Sequence, residues 1–489
     1  MSAPTHLDNP LQKHELFKTG YFVGGKWHQA AETFDVLNPA TGELVAQVAK
    51  AGKSETEAAI KAAHDAFPAW RKTPAKQRAE ILQRWYQLIV ENRQYLAELM
   101  VAEQGKPLKE ALGEVDYAAS FIQWFSEQAK RANGEIIPPA KTGARIFATR
   151  EPVGVVAAIT PWNFPLAMLT RKLGPALAAG CTGLIKPANN TPLSAFALLA
   201  LAEKAGVPAG VLNGVAGDTH AISDVIMASP EVRKISFTGS TEVGKTLMRN
   251  AAETMKKISM ELGGNAPYIV FDDADLDAAV AGAMACKFRN AGQVCVCVNR
   301  FYIQDGIYEQ FVTRLAAEVK KLKVGNGMDE GVNLGPLINS AGVKKVEDHV
   351  KDALAKGGRL LTGGERHALG GNFFQPTVIA DATEEMKVAS EETFGPLAAC
   401  FRFKTEAEVI ERANNTPFGL AAYFYTQNLK RVFRVSESLE SGMIGINDSS
   451  VSTELAPFGG VKESGLGREG SVLGLDEFME VKTLHLGNL

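Results

Sequence analysis

Cysteine is scarce in this chain, long apolar runs are missing, and neither sign of charge dominates. The 5 cysteines among 489 residues, Cys181, Cys286, Cys295, Cys297 and Cys400, are odd in number and widely scattered. That excludes a disulfide framework and suits a reducing, cytoplasmic compartment. The longest weakly polar stretch, Leu173 to Ile185, is rich in Gly and Ala and ends at Lys186, short of the ~20 apolar residues that span a bilayer. The opening MSAPTHLDNPLQKHELF has no apolar centre and is neither Arg-rich nor acid-poor, so neither a signal nor a transit peptide is expected and the mature chain should start here. With 52 Lys+Arg against 55 Asp+Glu, a net charge of −3, nothing favours nucleic acid or an anionic membrane; small-molecule partners are expected instead. No repeat, low-complexity tract or long Pro/Ser linker divides the chain.

What is present is an ordinary globular mixture, 46% hydrophobic and 22% charged, and the length predicts about three domains. Apolar residues at three-to-four spacing predict two helices, ETEAAIKAAHDAFPAW and QRAEILQRWYQLIVENRQYLAELMVAEQG, the second stopped by Gly105 and Pro107. GEIIPPAKTGARIFATR reads as an extended hairpin leaving the body. From residue 153 strand and helix alternate: VGVVAAIT, then NFPLAMLTRKLGPALAAG, then CTGLIK, then a helix capped by Thr191 with Pro192 at its first position and Gly206 at its end. VLNGVA, a short helix near 219–229 and VRKISFTG continue the series, and a second one starts at APYIVF beyond Gly263 and Gly264. Such alternation predicts parallel sheets covered by helices. The tail MEVKTLHLG alternates in polarity and is expected to pair with the early hairpin.

Two phosphate-site readings compete. GSTEVGKT at 239–246 satisfies the Walker A pattern between a strand and a helix, and YIVFDD supplies an apolar strand ending in Asp, so a P-loop ATPase using Lys245 is one reading. Glu242 argues against it by putting a carboxylate inside the loop. The other reading places a dinucleotide pyrophosphate against Gly239, Ser240 and the helix N-terminus, where free N–H groups and the dipole favour anions. Elsewhere Cys295 lies in a polar segment, Glu261 ends a β-like run beside two glycines, and Asn163 is held between Trp162 and Phe164 with prolines on either side. Singly these suit a core thiol, a solvated acid and a helix cap; together they form a nucleophile, a base and an oxyanion donor.

PWNFP, FTGSTEVG, ELGGNAP, GQVC, EETFGP and PFGGVKESGLGRE occur in this order along the chain. In these motifs the sequence resembles the aldehyde dehydrogenase superfamily over essentially its whole length. TRKLGPALAAG, KFRNAGQVCVC and APFGGVKESGLGREGS are most similar to the succinate-semialdehyde dehydrogenase branch. The resemblance implies an α/β protein with a Rossmann-type cofactor domain (1–130 and 149–262), a second α/β catalytic domain (263–472) and a small β oligomerisation unit (131–148 and 473–489), assembled as a homodimer or homotetramer. It implies Cys295 as nucleophile, Asn163 as oxyanion donor, Glu261 as the base for deacylation and Lys172 as a proton carrier. The family often has a further Glu after GRE, where this chain departs and reads GSVLG, so that second proton relay is not implied here. Trp162, Lys186, Asn189, Gly239, Ser240, Glu392 and Phe394 match cofactor positions. Asn189 beside Lys186 tolerates a 2′-phosphate that a carboxylate would repel, so NADP is expected, with NAD as a second candidate. No metal is implied. Arg171, Arg289 and Ser452 match a grip on a substrate carboxylate, with succinate semialdehyde first and glutarate semialdehyde second; transfer of the acyl group to coenzyme A is the nearest rival chemistry. Cys297 is a redox candidate from its C-V-C spacing and similar pairs in the family: in an extended segment it would share a side with Cys295.

Overall fold

The computed structural model describes residues 10–487; the first residues of the chain and the end of the tail, on which some of the expectations above fall, lie outside them. Four helices occupy residues 53 to 128, where two were predicted: Lys53–Trp70, Ala75–Glu91, Arg93–Gln104 and Leu108–Gln128. The run read as one helix breaks at Asn92, whose backbone leaves helical geometry (φ −101°, ψ 18°) while its side-chain amide donates to Leu88 O at 2.8 Å. A local side-chain bond of this kind competes with the helix ladder.

The first sheet runs in the order Gly465–Leu466, Lys257–Glu261, Val232–Thr238, Val155–Ile159, Thr182–Lys186, Leu212–Gly214, Tyr21–Val23 and Lys26–His28. Its centre is parallel and its edges antiparallel. Alternate side chains leave opposite faces of a strand, and here Val156 and Ala158 join the core under the long helices while Val155 and Ala157 join a separate core on the other face. Helix Ala167–Ala179 crosses from the first central strand to the second. Helix Pro192–Ala205 begins and ends as expected, at Thr191 and Gly206, but Thr191 does not cap it. The Glu103 carboxylate does so instead, accepting from Leu193 N at 2.8 Å and Ser194 N at 2.7 Å; burial pushes its pKa to about 7 against those bonds.

After the Gly263–Gly264 corner the chain enters the second sheet, in the order Arg359–Thr362, Thr377–Ala380, Leu397–Phe403, Val298–Gln304, Ala266–Val270, Ala421–Tyr425 and Met443–Ile446. All its pairs are parallel except the first. The predicted hairpin and tail do meet: Arg145–Pro152 lies antiparallel between Glu135–Ile137 and Met479–Leu486, with Met479 opposite Pro152 and Leu486 opposite Arg145. Strand Gly465–Leu466 matters most for the site. It returns from the second half of the chain to pair with Met260 and Glu261 of the first sheet, so the segment following it is laid beside the end of that strand.

Candidate active site

Cys295 is held by an irregular loop. Helix Leu276–Phe288 gives way to three residues in left-handed geometry, Asn290 (φ 49°), Ala291 (φ 53°) and Gly292 (φ 75°), a costly run unless its surroundings fix it. They do: Asn290 N donates to Glu110 at 2.7 Å, and Gln104 Nε2 donates to the Asn290 side-chain oxygen at 2.9 Å. The Asn290 amide in turn donates to Asn163 O at 3.0 Å, and Lys106 Nζ donates to the same carbonyl at 2.8 Å. Lys106 is itself buried in an ion pair with Glu114, whose carboxylate accepts from Leu166 N at 3.0 Å. The Asn163 side-chain amide donates to Gln293 O at 3.0 Å. Asn163 is therefore no helix cap. One network fixes both it and the loop that presents Cys295, while its side-chain oxygen is buried without a partner. Burial pushes the Cys295 thiol up to about 12 against the pull of Arg171, so the resting side chain is a thiol.

Glu261 stands at the C-terminal end of its parallel strand, the edge where open α/β sheets place ligands, and is buried with Oε2 unpartnered. Gly459 makes room for it: a Cβ there would come within 2.9 Å of Glu261 Oε1, and its backbone is at φ +153°. Glu469, brought in by the returning strand, faces Glu261. It is ion-paired with Lys172 and with Arg171, whose Nε lies 2.8 Å from Glu469 Oε2 at an angle that leaves that N–H without a hydrogen bond. Lys172 Nζ also donates to Thr238 Oγ1 at 2.6 Å. Burial, then repulsion from Glu469, hold the Glu261 pKa well above the usual carboxylate range. Burial acts the same way on Glu469 but Lys172 and Arg171 outweigh it and keep its pKa low. The two carboxyls are thus pushed in opposite directions, Glu469 toward the ionised form and Glu261 toward the protonated one.

A cavity of about 400 Å³ opens beside Cys295, lined among others by Arg171, Arg289, Ser452, Tyr117 and Phe458. The Arg171 guanidinium lies 3.8 Å from the Phe458 ring centroid and 5.3 Å from that of Phe121. Its Nη2 is buried without a partner. Arg289 is exposed and stands over Phe164 at 5.4 Å. Tyr117 is hydrogen-bonded to Ser452. The three residues expected to grip an anion are therefore in one chamber with the thiol.

The expected cofactor residues gather around the ends of the first-sheet strands. Lys186 is buried, and its ammonium donates to Pro187 O at 3.1 Å; desolvation brings that ammonium down to about 8. A buried cation with no carboxylate suits a phosphate. Ser240 caps helix Thr241–Ala251, accepting from Val243 N at 3.4 Å, with Gly239 just before it. The Trp162 and Phe394 rings meet edge to face at 5.6 Å, and Glu392 accepts from Gly264 N at 3.2 Å. Burial raises the Glu392 pKa to about 7. Asn189 is occupied more fully than expected: its amide donates to Gly217 O at 2.7 Å and accepts from Gly217 N at 3.2 Å.

The family model for the aldehyde dehydrogenase family matches residues 27–484. The chain belongs to the aldehyde dehydrogenase family. It is 58% identical to the 3-sulfolactaldehyde dehydrogenase of Pseudomonas putida, over 98% of this chain and 99% of that one. It is 56% identical to the NADP(+) succinate-semialdehyde dehydrogenase of Escherichia coli strain K12, again over 98% and 99%. Among solved structures it resembles the succinate-semialdehyde dehydrogenase of Burkholderia pseudomallei at a TM-score of 0.96 and 55% identity, covering 99% of this chain and 100% of that one.

In this aldehyde dehydrogenase the Walker reading fails on geometry. Helix Thr241–Ala251 starts straight after Ser240, Gly244 N is already bonded to Ser240 O at 3.0 Å, and Lys245 is ion-paired with Glu463 at 2.7 Å. No open loop of N–H groups is left to wrap phosphates. The shared-side premise for Cys297 fails too. Cys295 and Val296 form a turn closed by Cys297 N to Val294 O at 2.9 Å, and the Cys297 thiol turns to Lys287 O and Val298 O at 3.6 and 3.5 Å. The segment after GRE offers no further acid, but Glu469 of GRE itself, passed over in the sequence, stands beside Lys172 and Arg171. Tyr117 was missed as well, since a lone Tyr on an amphipathic helix carries no signal. Among the described residues no group of His, Cys, Asp or Glu could hold a metal, and no helix is long and apolar enough to cross a membrane.

Proposed function

We propose that this aldehyde dehydrogenase oxidises a small aldehyde with an anionic group at its far end, succinate semialdehyde first and glutarate semialdehyde second, to the carboxylic acid. The observation that carries this reading is Arg171, a buried guanidinium with an unpartnered nitrogen beside Arg289 and Ser452 in the chamber that contains Cys295. A carboxylate is the natural partner for such a fork. Cys295 attacks the aldehyde carbon as the thiolate, its proton released to solvent, and the resulting oxyanion is held by the Asn163 amide and the Cys295 backbone N–H, aimed where charge develops. NADP, with NAD as a second candidate, supplies the hydride acceptor when bound, and Lys186, Ser240 and the helix N-terminus behind it would hold its phosphates. Glu261, in the fraction that is ionised, then takes a proton from the water that attacks the thioester, and Lys172 with Glu469 carries that proton away.

The same reading divides the chain into a cofactor domain (1–130 and 149–262), a catalytic domain (263–472) and an oligomerisation unit (131–148 and 473–489). Support for the last comes from the exposed Ile136, Val481 and Leu484 on the three-stranded sheet, apolar surface that suits a homodimer or homotetramer. The compartment consistent with five free thiols is the cytoplasm. The test is a panel of succinate semialdehyde, glutarate semialdehyde, 3-sulfolactaldehyde and butyraldehyde with each cofactor. One methylene is worth only about 1–3 kcal/mol, so the two semialdehydes should differ modestly and butyraldehyde should trail both. Butyraldehyde oxidised as efficiently as succinate semialdehyde removes the anion site.

A further inference from the structure

We propose that Arg171 serves two anions at once, the far group of the substrate and the buried Glu469, so that substrate charge and the deacylating base are coupled through one guanidinium. The proposal rests on the functional reading above for the substrate's charge and on geometry for the rest. Arg171 lines the chamber and leaves Nη2 without a partner, while Nε sits 2.8 Å from Glu469 Oε2. It cannot swing away freely, because it is buried against the Phe458 and Phe121 rings and Nη1 donates to Tyr117 OH at 3.5 Å. A fixed, delocalised cation with one edge on the substrate and another on Glu469 transmits charge without moving.

The groups facing this cluster come from several elements. Helix Ala167–Ala179 gives Arg171 and Lys172, helix Leu108–Gln128 gives Tyr117, strand Val232–Thr238 gives Thr238, strand Lys257–Glu261 gives Glu261, the returning segment gives Arg468 and Glu469, and the loop gives Cys295. Within this set Arg171, Lys172 and Arg468 favour the ionised form of Glu261, and Glu469 opposes it. A substrate anion bound to Arg171 screens part of the favourable charge. Glu261 in that acyl-enzyme then binds its proton more tightly and, once ionised, is a stronger base. Toward Glu469 and Glu261, Arg171 is a positioning residue.

A neutral aldehyde separates the two roles. In the wild type, the acid limb of the steady-state kcat profile is expected at higher pH with succinate semialdehyde than with butyraldehyde. In Arg171→Met the butyraldehyde limb should itself move up by about one pH unit, so that the steady rate on that limb falls about tenfold. Arg171→Lys should restore the butyraldehyde limb yet leave the KM for succinate semialdehyde raised, because the charge is kept and the fork is lost. If the Met variant does not fold, the two-substrate comparison on the wild type decides alone. Coincident limbs for the two substrates, or an Arg171→Met butyraldehyde profile superimposed on that of the wild type, overturn the coupling and leave Arg171 as an anchor only. Equal efficiency on both substrates in the wild type instead removes the functional reading, and the butyraldehyde profile of Arg171→Met still decides the coupling.

Discussion

Glu261→Gln isolates the second half of the reaction. The substitution is nearly isosteric, and because the folded protein keeps the Glu261 carboxyl protonated well above the usual range, Gln imitates the resting state in charge as well as shape. What it cannot do is accept a proton from water. A positioned general base is worth about 10²–10⁴ in rate, so deacylation should slow by that factor, a loss of about 3–5 kcal/mol of transition-state stabilisation. Acylation, which uses Cys295 and Asn163, should be nearly unchanged. Rapid mixing with NADP and succinate semialdehyde should therefore give a burst of NADPH equal to the active sites, then a very slow steady rate. In the wild type that steady rate should climb with pH as Glu261 loses its proton; in the variant the climb should vanish. Stability supplies an independent check. With the folded pKa raised above 4.5, the folded state holds a proton that the unfolded state has released, so the wild type loses about 1.4 kcal/mol per pH unit from this group between the two values. Glu261→Gln lacks that loss and should gain on the wild type in thermal unfolding as pH rises. A burst reduced as much as the steady rate would refute Glu261 as the base for deacylation.

Cys295→Ala should abolish both burst and turnover while leaving cofactor binding, followed by nucleotide fluorescence quenching, intact. Lys186→Ala should weaken NADP more than NAD, and wild-type affinity for NADP should begin to fall above pH 8, where the free enzyme's Lys186 releases its proton; parallel changes for both cofactors would misplace the ribose site. Asn189→Glu should shift preference toward NAD, and should also cost about 1 kcal/mol of stability, because a carboxylate cannot donate to Gly217 O as the amide does. Mild peroxide should inactivate wild type and Cys297→Ala with the same rate and the same recovery in dithiothreitol, since the Cys297 thiol is turned toward Lys287 O and Val298 O; protection found only in the wild type would contradict this.

Much of this enzyme was legible because its signals are local. Strand and helix alternation from residue 153, the corner at Gly263 and Gly264, and the alternating tail depend on side-chain period and turn chemistry within a few residues, and the sheets follow them. Cys295, Glu261 and Asn163 could be proposed because each stands in a short motif, and Arg171 with Arg289 because two cations were matched to one anion. Tertiary structure decided what depends on distant segments meeting. The Walker pattern has the right letters, but its fate rests on where the helix begins and on Glu463, far along the chain. The shared side of Cys295 and Cys297 holds only for an extended segment, and the network through Lys106, Asn290 and Gln104 imposes a turn. Thr191 lost its capping role to Glu103 from another helix. Glu469 reaches Glu261 only because strand Gly465–Leu466 comes back to pair with the first sheet. By itself the sequence determined most of the elements and the family, and offered Cys295 as the candidate nucleophile; only the tertiary structure decided which charges face one another, because ion pairs and buried carboxylates are set by approach in space rather than by spacing along the chain.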